Sequence, residues 1–146
     1  MKRGQISLDF LFAVTLIGIT ALNIVYIASS ERVHSETFDT VSKLKAFSID
    51  VRDSVVKVYS SGNGFTLRKE LPMELGTGDS VTVSLAPPDK LLVNATIGGR
   101  RYSVIQKVPL SLHRKSSVVL TWENRAFLIR AQHNETGGWI DVTLSP

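Results

Sequence analysis

Asp9 is the side chain whose position most demands a chemical partner. It is the last charge before Phe10–Ala28, a run of 19 mostly apolar residues with no charge, and the next basic residue is Arg32. A carboxylate at the edge of an apolar helix is costly to bury, about 2.5–3.5 kcal/mol at a bilayer centre on insertion scales, unless a partner meets it. Two partners are within reach. One is the set of free N–H groups and the positive dipole end of the helix itself. The other is the α-amine that Gln5 would gain if the chain were cut after Gly4. That amine would lie four residues from Asp9, about one helical turn. Formed between chains, the same pair would set the axial stagger of neighbouring helices, because each buried charge needs the other.

Few other residues have types and spacing suited to chemistry. His34, His113 and His133 are far apart, and none belongs to a metal-binding motif. No serine sits in a nucleophile elbow. Gly62-Asn63-Gly64 has no following Lys-Ser/Thr and comes after a helical stretch, so it reads as a helix stop rather than a phosphate loop. The chain has no cysteine, which excludes disulfides, a Cys-ligated metal and a thiol nucleophile. No catalytic residue, metal or cofactor is expected, and the chain is not read as an enzyme. Two Asn-x-Thr sequons, at Asn94 and Asn134, are candidate N-glycosylation acceptors. Arg100-Arg101 and His113-Arg114-Lys115 are short basic groups near turns, read as solvated loop charge, with adhesion to an anionic surface as the alternative. The formal charge of +4 falls to +2 without Lys2 and Arg3, too small a surplus to argue for nucleic-acid binding.

The apolar run must position Asp9. At about 1.5 Å per residue it covers roughly 28 Å, close to the ~30 Å hydrocarbon core of a bilayer. Its polar members are Thr15, Thr20 and Asn23, with Gly18 its one glycine. A fully buried helix in a soluble protein would need more surrounding chain than 146 residues provide. Lys2 and Arg3 before the run orient the N-terminus to the cytoplasm and the remainder outward. Cleavage as an ordinary secretory signal would fall at Ile27-Ala28-Ser29-Ser30, the nearest approach to a small-residue site.

Gly4-Gln5-Ile6-Ser7-Leu8-Asp9-Phe10 resembles the class III signal peptide of archaeal type IV pilin-like proteins. In that family the cleavage point is followed directly by Gln-x-Ser-x-Glu-Phe and a hydrophobic helix. Gln5, Ser7 and Phe10 match, and Asp9 stands where the family has glutamate, one methylene shorter in reach. The resemblance implies cleavage between Gly4 and Gln5 by a membrane prepilin peptidase. It also implies that the mature helix polymerises with identical or related subunits, with Ser7, Asp9 and Phe10 in the assembly region. Protein partners would thus be the peptidase and other pilin subunits, in and outside the membrane. The chain would be membrane-anchored before assembly and part of an extracellular filament after it, serving adhesion. A monomeric or minor accessory protein, anchored by the same helix and displaying a binding domain, is the alternative.

The expected fold is α+β: a long N-terminal hydrophobic helix followed by a small antiparallel sheet or sandwich. Its parts are a leader at 1–4, a helix over 5–62 and a β domain over 63–146. Within the helix, 5–28 is the membrane or filament-core part and 29–62 packs on the β domain. Val41, Leu44, Ser48, Val51, Val55 and Val58 make one helical stripe, with a free-standing coiled coil as its rival use. Asp39 with Lys43 and Asp53 with Lys57 are favourable i,i+4 pairs. Ser60–Gly64 stops the helix. Strands are expected at 65–71, 81–85, 90–97, 101–108, 118–122, 126–131 and 139–144. Gly98-Gly99 makes a hairpin and Glu123-Asn124-Arg125 a short turn.

Overall fold

The computed structural model describes the backbone of residues 2–146 and, of their side chains, those from Leu8 onward other than Val33, His34 and Glu36. It has one long apolar helix followed by two small antiparallel sheets, an α+β fold. Helix α1 runs over Lys2–Ser61. Between Gln5 and Tyr59 there is no proline and one glycine, Gly18, so nothing in the sequence breaks the backbone ladder. The helix ends as the glycines require. Gly62 has φ +88°, and its N–H donates to the Tyr59 carbonyl at 3.2 Å. A left-handed residue after the last turn is favourable for glycine and costly for any residue with a Cβ.

The chain divides into two compact units, and the second begins inside the helix, at Val41. In the first unit every described side chain from Leu8 to Arg32 is exposed.

The second unit, Val41–Pro146, carries the β domain. Strands β1 (Thr66–Glu70), β6 (Ala126–Asn134) and β7 (Trp139–Ser145) form one sheet in the order β1-β6-β7. Strands β2 (Ser80–Ala86), β3 (Lys90–Ile97), β4 (Arg100–Lys107) and β5 (Ser116–Leu120) form the other, in the order β4-β3-β2-β5. All pairings are antiparallel. Seven strands stand where seven are expected, within a few residues at each end. Gly98 and Gly99, both at positive φ (56° and 74°), close the β3–β4 hairpin. Glu123–Arg125 does turn, with the Thr121 N–H donating to the Asn124 carbonyl at 3.0 Å. However, β5 pairs with β2 while β6 pairs with β1 and β7, so the turn passes the chain from one sheet to the other.

Alternation along the strands places Val81, Val83, Leu85, Leu91, Val93 and Ala95 on one inner face, and Phe127, Ile129, Ala131, Val142 and Leu144 on the other. The sheets approach at the β5 and β7 edges, where the Leu144 N–H donates to Ser116 Oγ at 3.1 Å. At the opposite edges, β1 and β4, the helix completes the core. Lys69 on β1 reaches Asp50 at 2.7 Å, and Gln106 on β4 donates to Ser48 Oγ at 3.1 Å. Leu44, Ser48, Val51, Val55 and Val58 are buried, as their spacing predicts. Val41 is a correction, being 41 % exposed one turn before the buried stripe begins. Phe47 and Ser54 are additions to the stripe. Phe47 is fully buried edge-on to Phe127, with ring centroids 6.3 Å apart. Asp53, expected to pair with Lys57, accepts from its neighbour Arg52 at 2.8 Å.

The helix therefore contributes core rather than a surface layer, and Phe47 is its largest contribution. Phe47→Ala in the full chain should lower the unfolding free energy by about 3–5 kcal/mol. Denaturant titration in detergent checks this, and a loss below about 1 kcal/mol would mean the helix is dispensable to the domain.

Candidate functional site

The residues singled out from the sequence fall on two separate surfaces. On the apolar segment, Asp9 and Phe10 are exposed, Phe10 by 70 %. Among the described residues Asp9 has no hydrogen-bond or ion-pair partner. The expected cleavage pair Gly4 and Gln5, and Ser7, lie outside the residues whose side chains are described. Twelve large apolar side chains from Phe10 to Ile27 are each between 49 % and 75 % exposed. This helix is long and apolar enough to cross a membrane.

The polar groups of the segment are largely satisfied by the helix itself. Thr15 and Thr20 donate their hydroxyls to the carbonyls of Leu11 and Leu16, each at 2.8 Å. Asn23 and Ser29 donate to the carbonyls of Ile19 and Val25, each at 2.9 Å. Back-bonding of this kind lowers the cost of taking a polar side chain out of water. The segment thus presents an almost wholly apolar surface, with Asp9 at its edge and part of Asn23 within it.

On the β domain, side chains distant in sequence meet. The His113 ring stacks on Trp139 with centroids 4.6 Å apart. Trp139 Nε1 donates to Asp141 Oδ1 at 3.1 Å, and Asn134 Nδ2 donates to Asp141 Oδ2 at 3.2 Å. Asn134 Oδ1 in turn accepts the N–H groups of Thr136 and Gly137, each at 3.1 Å. Gly137 is required here, because a Cβ on it would overlap the Trp139 ring. This is a built turn between β6 and β7 whose carboxylate is buried and doubly hydrogen-bonded. Sequence spacing gave no sign of the cluster, because His113 lies on a loop and Asn134, Trp139 and Asp141 meet only through the pairing of β6 with β7.

The two sequons differ accordingly. Asn134 uses both its oxygen and its nitrogen to hold the turn. Asn94, exposed on β3, accepts one bond from Ser103 Oγ at 2.8 Å through its oxygen. Arg101, His113, Arg114 and Lys115 are exposed, as loop charge should be. A shallow groove of about 490 Å³ lies between the helix and β4. Its one carboxylate, Asp53, is held by Arg52. Among the described residues no three His, Asp or Glu side chains are grouped to hold a metal ion.

Fold and surface together define an apolar helix, exposed along its first part, joined to a helix-completed β-sandwich. No protein-family model, curated protein or solved structure matches the chain.

Asn134→Ala removes three hydrogen bonds and leaves Asp141 short of one donor. It should destabilise the domain by about 2–3 kcal/mol, while Asn94→Ala should cost under about 1 kcal/mol. Paired denaturation curves test the ordering, and equal losses would contradict it.

Proposed function

We propose that the chain is a pilin-like subunit of an extracellular type IV pilus-like filament, polymerised through its N-terminal helix and used for adhesion. The observation that carries this reading is the long uncharged surface of Phe10–Ala28, all of it exposed, directly after the residues that resemble a class III signal peptide. Such a surface needs a cover, and it has two in succession. Lipid covers it first, with the basic leader on the cytoplasmic side. Identical helices cover it after assembly, so little hydrophobic energy is lost in leaving the membrane.

In this account a prepilin peptidase removes Met1–Gly4. The new Gln5 amine then neutralises Asp9 within one chain or between chains, and Ser7 and Phe10 complete the assembly region. The β domain forms the outer wall. It has no disulfide to hold it, and packing of the helix into its open side serves that purpose. No nucleic acid, metal or cofactor takes part.

The intact mass of the natively expressed protein tests the first step. A mass lacking Met1–Gly4 is expected, and cleavage near Ala28 would overturn the reading. Asp9→Ala should still insert and be processed but should assemble at about a tenth of the normal level or less, since a charge pair specifies register. Sedimentation of sheared surface material checks this, and normal filament yield from that variant would contradict the role given to Asp9.

A further inference from the structure

The apolar segment carries two positions on one face, Asp9 and Asn23, with polar groups that have no partner among the described residues. Asp9 and Asn23 are 14 residues apart, two heptads. With Phe12, Leu16, Ile19 and Tyr26 they follow the alternating spacing of three and four that keeps one stripe of a helix toward a neighbour. Asn23 uses one amide N–H on the Ile19 carbonyl. A carboxamide has a second N–H and an oxygen with two lone pairs, and these have no partner among the described residues. The Asp9 carboxylate is likewise unpartnered among them. The hydrocarbon core of a bilayer offers such groups neither a donor nor an acceptor.

Resting on the reading that copies pack side by side in one orientation, we infer that Asn23 receives Asp9 of a second copy shifted along the axis by 14 residues, roughly 21 Å. Parallel helices in register would oppose Asp9 to Asp9, two like charges on an apolar stripe. The shift instead sets a carboxylate acceptor against an amide donor. It also sets Phe12 of one copy against Tyr26 of the next, ring on ring, and Leu16 against the small Ser30. Only one Asp9 oxygen is needed for Asn23, so the other is left for an amine at Gln5. A polar side chain at one seam position fixes register in packed helices generally. Asn23 is in this sense the position that selects one stagger from many apolar ones.

The chain has no cysteine, so introduced thiols are the only ones present. The double variant Phe12→Cys/Tyr26→Cys keeps Asp9 and Asn23 intact. Oxidised in native membranes or sheared assemblies, it should give a ladder of disulfide-linked multimers, because each chain links to two neighbours. Either single variant should give about tenfold less dimer. Adding Asn23→Leu should cut the ladder about fivefold without changing membrane insertion. A lysine-reactive cross-linker on the same samples reports association whatever the register. Multimers by that reagent, with strong dimers from Tyr26→Cys alone or a ladder indifferent to Asn23→Leu, would overturn the stagger and leave the filament reading standing. No multimers by either reagent would overturn both.

Discussion

The dominant constraint on this chain is that the first part of its helix has no cover of its own. Twelve large apolar side chains between Phe10 and Ile27 lie open. At about 1.5–3 kcal/mol for each fully covered side chain, and with between 49 % and 75 % of each still exposed, the gain from covering them is on the order of 10–20 kcal/mol. That equals or exceeds the net folding stability of a typical domain, about 5–15 kcal/mol. No arrangement of loops or surface charge offsets a term of this size. In the proposed reading lipid and then other helices supply that cover, both being apolar enough to serve in turn.

Within the second unit the helix answers a different need. A seven-stranded sandwich of about eighty residues has edges to close and no disulfide to close them. Its sheets meet at β5 and β7, and the helical turns from Leu44 to Val58 complete the core at the β1 and β4 edges. The contacts are of two kinds. Phe47, Val51, Val55 and Val58 are buried among the strands' apolar side chains, while Ser48 and Asp50 take polar groups from β4 and β1. One helix type therefore serves two environments by a change of pattern. It is apolar nearly all round over Phe10–Ala28 and striped after residue 41.

Much of this was legible because the signals are strong and local. The span of the apolar run, the Gly62 stop and the Gly98-Gly99 hairpin each follow from one residue type in one place. The stripe on the helix was legible in period but not in membership. Phe47 lies three residues from Leu44 and four from Val51, so the same period includes it, yet Val41 fits the period and is exposed. Periodicity gives the direction of a face, and only the neighbouring strands decide where along the helix that face is covered. Partition of the strands between two sheets was not legible for the same reason, since Glu123–Arg125 makes a turn either way. The cluster of His113, Asn134, Trp139 and Asp141 was the least accessible. Its members meet through strand register and a turn, and no spacing encodes that.

In the proposed filament the apolar helix ends buried against copies of itself. High-resolution imaging of the native surface assembly tests it most directly. The expected image is a filament whose axis is filled by helices from Gln5 onward, with β domains arrayed outside. Single copies resident in lipid, or a filament joined through β domains with the apolar helices away from its axis, would contradict it.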